Sequence, residues 1–219
     1  MIIPFEPKMY MSEIDKKVNE QTHWNFNQIR ENFRHQLDEQ LQLKLKNYSP
    51  VVSFYSDSVK MASALNYIYT TTHLSFDPLD KPRSGTAIAQ KTTGIKDGQL
   101  AVEINTDKKF TNILMDNNNV LSTLNSKFKT EYFIFINQLD IKNDMDTYNI
   151  TTGIFQRKVD VHFTILDKSG KLITAGIASS GFSSKENNPK KIVAQAFSPI
   201  ATYIVTKFMV LTQPAAEKK

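Results

Sequence analysis

Apolar and polar residues alternate along the last third of the chain. Within residues 158–165, Val159, Val161, Phe163 and Ile165 fall on one side and Asp160, His162 and Thr164 on the other, the period of a strand with two unlike faces. Asp167-Lys168-Ser169-Gly170 turns the chain, and residues 171–182 return as a second strand. Asn188-Pro189 then opens a long helix that buries Ile192, Ala196, Ile200, Ile204 and Phe208. Pro199 sits inside it, removing one backbone bond and crowding the preceding turn, so a kink is predicted there, or a break with Ser198 as a new N-cap.

The strongest helical pattern spans residues 25–46, where Phe26, Ile29, Phe33, Leu37, Leu41 and Leu45 recur at spacings of three and four. Ahead of it, residues 2–5 read as a short buried strand that Pro4 confines to an edge, and Ser12-x-x-Asp15 resembles a capping arrangement that starts a helical turn. Pro50 ends the long helix; Val51-Val52-Ser53-Phe54 suggests a short strand, and a second helix over 59–69 buries Met61, Leu65 and Ile68. Residues 70–83 read as loop, 85–90 and 99–105 as strands around Gly94-Ile95-Lys96-Asp97-Gly98, with Asp97-Gly98 the hairpin signal, and 111–128 as a helix interrupted by Asn117-Asn118-Asn119. Tyr132-Phe133-Ile134-Phe135-Ile136 is continuously apolar, as in a central strand covered on both faces. Residues 140–152 read as a polar loop or a strand extension.

These elements predict an α+β fold: one central mixed sheet flanked by a long first helix and a C-terminal helix that follows a β-hairpin. No repeat and no Gly-, Ser- or Pro-rich linker divides the chain, so one domain is expected over 1–211, with a disordered tail at 212–219.

Composition narrows the class. The chain has 219 residues, 40% of them apolar and 11% aromatic, enough for a core without staples. The net charge of +5 comes from dispersed pairs such as Lys108-Lys109 and Lys190-Lys191; a solvated surface accounts for it, and no nucleic-acid partner is expected. With no cysteine there are no disulfides, thiol nucleophiles or zinc–thiolate sites. No stretch reads as a membrane span of about twenty apolar residues or as a signal peptide. Met1-Ile2-Ile3-Pro4-Phe5 reads as strand from its first residue, which suggests an exported chain whose signal or anchor has been removed.

Catalytic signatures are absent from the pattern: no Gly-x-Ser-x-Gly elbow, Walker loop or dinucleotide fingerprint occurs. His23, His35, His73 and His162 are the only imidazoles and form no ligand-spaced pair. His35, between Glu31 and Glu39, fits surface charge pairs. His162, on the polar side of its strand, would need an acid or nucleophile brought to it by the fold. His73, Asp77 and Asp80 are a metal fragment without a defined spacing, and Asp140, Asn143, Asp144, Asp146 and Asn149 are oxygen-rich but lack a calcium-loop pattern. Arg157-Lys158 suits an anion or a partner carboxylate, or marks an exposed strand end. No catalytic residue, cofactor or metal is therefore expected. Met9, Tyr10, Met11 and Trp24, around a Pro-containing turn, are candidate partner-binding residues; the competing reading is that they close the end of the core.

The segments Ile2-Ile3-Pro4-Phe5-Glu6-Pro7-Lys8-Met9-Tyr10-Met11-Ser12-Glu13, Phe33-Arg34-x-x-Leu37-Asp38 and Arg157-Lys158-Val159-Asp160-Val161-His162-Phe163 resemble uncharacterised cell-envelope proteins of Bacteroidota-type bacteria. The order of elements is also similar to a group of periplasmic domains: the amino-terminal domain of the Tol translocation protein, the curli secretion lipoprotein and lipoprotein activators of penicillin-binding proteins. That resemblance implies a non-enzymatic assembly or adaptor role in the periplasm or cell envelope, with another envelope protein as partner and room for a homo-oligomer. It transfers no functional residues, and the lipidated cysteine of several of those proteins has no counterpart here. Two alternatives stay open: a hydrolase or metal-dependent enzyme using His162 or His73 with nearby acids, and a small-ligand-binding domain with a pocket between the first helix and the sheet.

Overall fold

The apolar run at 132–136 forms the start of β7 (Tyr132–Asn149), the strand around which the rest is arranged. A computed structural model describes residues 1–55, 58–78, 94–96, 99–101, 109–117 and 119–212. β7 pairs antiparallel with β8 (Ile154–Asp167), and β8 with β9 (Leu172–Ser183). On the other edge of β7, β1 (Ile2–Ile3) and β2 (Tyr10–Ser12) pair parallel to it in succession, giving a five-stranded mixed sheet. The α+β architecture is as the pattern predicts.

Both faces of the sheet are covered. Ile134 and Ile136 join Val159, Val161, Phe163 and Ile165 against α2 (Phe26–Leu45) and the terminal helix. Phe133 and Phe135 face a second cluster with α3 (Ser58–Thr70) and α4 (Asn119–Phe128). Each fully buried Phe or Ile contributes about 1.5–3 kcal/mol relative to exposure, so the two clusters supply the main cohesion. α1 (Asp15–Thr22) precedes α2 and buries Val18. α2 starts on a reciprocal capping box between Asn25 and Gln28, and Ile29, Phe33, Leu37, Leu41 and Leu45 are buried. Phe26, expected in that stripe, is exposed. Ser12 and Asp15 form no capping box; the α1 N-cap position is Ile14, and Asp15 instead accepts from the Tyr10 hydroxyl at 2.6 Å.

The terminal helix is continuous through Pro199. α5 (Pro189–Ile192) passes into a π turn over Val193–Phe197 and then α6 (Ser198–Thr212). The Ser198 N–H donates to the Val193 carbonyl, five residues back, and Ser198 is helical, not an N-cap. The wider turn makes room where the proline ring would crowd a regular one. By length and composition, the helix at 189–212 contains an 18-residue window apolar enough to cross a membrane, with a mean hydropathy of 1.2, where the sequence showed no span; half of that window is buried inside the fold.

Other predicted elements are corrected. Residues read as loop form β3 (Thr72–Pro78), and the first part of the supposed helix at 111–128 is β6 (Lys109–Met115), paired antiparallel with β3. Their Thr, Asn and Asp content hides them, because pairing with a strand more than thirty residues away outweighs local preference. β4 (Gly94–Lys96) and β5 (Gln99–Ala101) pair antiparallel, so Gly94 to Lys96, expected in the connection between two strands, is itself strand; Asp97 and Gly98 lie outside the described residues. The strand expected at 85–90, residue Asp80 and the tail beyond Thr212 lie outside the described residues. Val51 to Phe54 contributes one isolated bridge, Ser53 to Ile2, and no strand.

Candidate functional site

A bulge in β7 creates the most concentrated chemistry in the molecule. Register passes from Ile136↔Phe163 to Gln138↔His162, so Asn137 is the extra residue. The bulge reverses the inward parity: Ile134 and Ile136 before it and Leu139 and Ile141 after it face the same core. On the opposite face it aligns Gln138 with His162 and Asp140 with Asp160. β6 lies against this polar layer. Asn137 donates to the Thr111 carbonyl (2.7 Å) and to Thr164 Oγ1 (2.8 Å); Thr164 donates to Asn112 (2.6 Å), which donates to Asp77 on β3 (2.8 Å). The Thr111 hydroxyl donates to Gln138 (2.5 Å), which donates to Asp140 (2.7 Å). Donors thus run outward from Asn137 and Thr111 to two carboxylates, a directed network in which every buried amide has a defined orientation.

Asp140 and Asp160 are direct cross-strand partners, an arrangement that would repel if uncompensated. Lys142 pairs with Asp140 at 3.2 Å, Lys158 with Asp160 at 2.9 Å, and Ser179 on β9 donates to Asp160. His162 is buried beside them, and its Nδ1 accepts the backbone N–H of Thr111 at 2.7 Å. That bond requires an unprotonated Nδ1, hence a neutral ring with its proton on Nε2. Burial holds the His162 pKa below its ordinary value; Asp140 and Asp160 pull it up, and Lys142 and Lys158 push it down. The acids that His162 needed are therefore present, brought in by register. His162, Asp140 and Asp160 line none of three clefts: the one at the end of α2, the one between the ends of α2, α4 and α6, and the small one beside Tyr69. A general base needs reach to a substrate proton; here one ring nitrogen is occupied by the backbone and the other carries the proton.

The remaining imidazoles and acids do not converge. His73 is exposed on β3 and pairs with Asp116 at 2.9 Å. Asp77 lies four residues further along the same strand, about 13 Å away, too far to share an ion with His73. Asp140, Asn143, Asp144, Asp146 and Asn149 are spread along extended β7, which splays their oxygens. Among the described residues no group of three or more His, Asp or Glu could hold a metal ion. His35 packs edge-on against Tyr55 at 4.8 Å, while Glu31 pairs with Arg30 and Arg34. Arg157, read as a marker of an exposed strand end, is 5% exposed; it lies over the Phe182 ring and donates to the Glu186 carbonyl and Asn187.

The four candidate contact residues divide. Met9 and Tyr10 are core residues, 9% and 6% exposed, and Tyr10 is fixed by Asp15 and stacked on Phe5. This corrects the expectation that they offer a contact surface: β2 pairs with β7, which turns Tyr10 inward. Met11 is exposed and Trp24 half-buried against the core. Arg34 and Asp38, part of the resembling segments, are structural. Arg34 donates to the Phe5 carbonyl (2.7 Å) and to Tyr69 (2.7 Å), and Tyr69 donates to the Pro4 carbonyl. Asp38 accepts from Ser53 and Gln42, both at 2.6 Å, and burial raises its pKa against those two bonds.

A surface that the sequence reading missed lies at the far end of β7 and β8. β2 leaves β7 at Ile141 and β9 leaves β8 at Gln156; register then jumps from Asp144↔Gln156 to Asn149↔Ile154, so residues 145–154 project as a short, irregular arm. Gly153, with φ 66°, and the Asn149 side chain, which accepts from the Thr152 N–H, close its turn. Met145, Tyr148 and Ile150 are exposed there, Ile150 to 88%. At the opposite end of the sheet, a cleft of about 400 Å³ opens between the ends of α2, α4 and α6.

Compared with known proteins, the chain matches no family model and no curated protein.

Proposed function

We propose that this chain is a non-enzymatic cell-envelope domain that binds another envelope protein, in an assembly or adaptor role, and that the β7–β8 arm carries the contact. The observation behind this reading is the exposure of Met145, Tyr148 and Ile150 on an arm flanked by no other described strand. Apolar and aromatic side chains left in water at the tip of a hairpin are the groups a partner would desolvate with most gain. The polar layer supports the same reading, because its acids are bonded by Gln138, Ser179, Lys142 and Lys158 and its imidazole by the Thr111 backbone. The envelope setting rests on the resemblance of the amino-terminal and carboxy-terminal segments. Met11 and Trp24 form a lesser second surface, in place of the four-residue patch.

The test compares partner capture from envelope extract by the unaltered domain and by Tyr148→Ser/Ile150→Asp. A specific protein captured by the first and lost by the second, with thermal unfolding unchanged, supports the reading. Equal capture by both overturns the assignment to the arm.

A further inference from the structure

The outer edge of β9 and the outward side of α6 carry almost none of the charge found on the rest of the surface. β9 contains no charged residue and no proline, and within residues 192–212 Lys207 is the only charged side chain. By contrast, α1 turns Lys16, Lys17 and Glu20 to water, and α2 carries Arg30, Glu31, Glu39 and Lys44 outside its core stripe. Edge strands are ordinarily blunted by charge, proline, a bulge or a covering element, because their outer N–H and C=O groups pair with any strand that reaches them. Along residues 176–183, β9 pairs with β8 and with no other described strand. Its register irregularity, at Ile165/Leu166, lies outside that stretch.

Helix and strand edge adjoin. The Tyr203 ring packs edge-on against Phe163 at 6.4 Å, and Phe163 pairs with Gly176, which has no side chain to stand between that ring and the edge. Tyr203 and Val210 are exposed, as are Pro199 and Thr206. Five residues after Tyr203, Phe208 packs against Tyr132, whose cross-strand partner Asp167 precedes β9. The helix therefore runs from the level of Gly176 towards the Leu172 end, and carries Lys207 that way. Few charges and an exposed aromatic ring are the composition of an interface centre.

We infer that this surface pairs with a second copy of the chain. The two β9 edges join antiparallel across a twofold axis at Ser179 or Ser180, so that one sheet runs through both copies with their α6 helices side by side on one face. A second copy suits the surface on three counts. An uncharged edge meets an uncharged edge, so no ion loses its water. The axis lies away from Lys207, and in either register the flanking Lys171 and Lys185 fall level with uncharged residues, Asn187 or Pro189 and Ile173 or Ala175. The area also suffices. Residues 176–183 extend about 27 Å, and a sheet with one helix on it is about 20 Å deep, which gives about 500 Å² per copy and about 1,000 Å² in total, the threshold for a specific contact. The surface does not include the arm and does not depend on it.

Sedimentation and oxidative cross-linking of the full chain test this. A dimer is expected at about 10 μM. The chain has no cysteine, so Ser179→Cys and Ser180→Cys each place a single thiol at or beside the axis, where opposed Cα atoms about 5 Å apart permit a disulfide. At least one of the two should oxidise to a covalent dimer, and Tyr148→Cys on the arm should not. Ser180→Glu sets two carboxylates within about 8 Å of each other in either register and should give a monomer. Pro199→Glu, which exchanges an exposed helix proline for a better helix former, should weaken the dimer several-fold without harming the fold. Tyr148→Ser/Ile150→Asp should remain dimeric. A monomer at about 100 μM overturns the inference and leaves the edge to a strand of another protein. So does a dimer indifferent to Ser180→Glu and Pro199→Glu, a failure of both β9 cysteine variants to cross-link, or a dimer lost only in the arm variant.

Discussion

The backbone N–H of Thr111 donates to Nδ1 of His162 across the space between β6 and β8, at 2.7 Å. Through this bond a strand from the middle of the sequence is fixed to the sheet by an imidazole that must stay neutral. The folded pKa of His162 lies below its ordinary value of 6.5, chiefly because the ring is buried. Stability from this group is therefore complete above about pH 6.5 and is lost as pH falls towards the folded value. The loss has a slope of at most about 1.4 kcal/mol per pH unit. Hydrogen exchange should show the Thr111 amide losing protection before the amides of Val159 and Val161 as pH drops from 7 to 5. In His162→Gln, whose amide oxygen accepts without titrating, this difference should vanish. Equal pH dependence in both proteins would show that the bond does not hold β6.

Arg34 ties the amino-terminal turn to α2 and α3 through the Phe5 carbonyl and Tyr69. Arg34→Ala leaves the Phe5 carbonyl with only the longer bond from the Tyr69 hydroxyl, at 3.2 Å, and should cost about 2 kcal/mol in denaturant unfolding. Tyr69→Phe should cost about 1 kcal/mol, since only the hydroxyl is lost. The double variant should lose less than the sum, because the two groups share one network. Simple additivity would separate them.

Asp38 poses the opposite proton problem. Its folded pKa is raised, so its contribution to stability is fully present below the ordinary carboxylate pKa of 3.8 and is lost as pH rises through the folded value. Asp38→Asn should remain within about 1 kcal/mol of the unaltered protein at pH 7 and fall behind it on acidification. Asp38→Ala should lose about 1–3 kcal/mol at pH 7, since Ser53 and Gln42 are left without their acceptor, and more on acidification. Paired urea melts at pH 7 and pH 5 measure both effects.

Met9 and Met11 are two residues apart and should behave differently. Met9→Ala removes a core side chain and should cost about 2–5 kcal/mol. Met11→Ala, at a half-exposed position, should stay within about 0.5 kcal/mol. Thermal melts of the two variants decide the assignment; a large loss from Met11→Ala would place it in the core as well.

The elements with local periodicity were legible in the sequence: α2, the β8–β9 hairpin, the terminal helix and the central position of β7. Three features were not, each for a physical reason. β3 alternates His73, Ser75 and Asp77 with Leu74 and Phe76, but over only five residues between Thr-rich and Pro-containing stretches, and β6 ends in the unalternating run Ile113-Leu114-Met115 that merges with the helix after it; each is stabilised by the other and by side-chain bonds to the sheet. The bulge at Asn137 is a tertiary feature, yet its trace is in the sequence: inward apolar residues step from Ile136 to Leu139, an odd spacing that an unbroken strand cannot keep on one face. That step was the available sign that Gln138 and Asp140 share a face with His162. The arm depends on where neighbouring strands stop, which no window of residues 142–155 reports. Tyr10 was misplaced because a Met- and Tyr-rich segment looks the same whether it faces a partner or the core.

Site-specific photo-crosslinking from position 150 in living cells tests the central proposal, that the arm carries the contact with a partner. A discrete protein adduct is expected from position 150 that Tyr148→Ser weakens, and none of that mass from position 172, which is also exposed but lies at the far end of β9. An adduct from position 11 or 24 with none from 150 would contradict it.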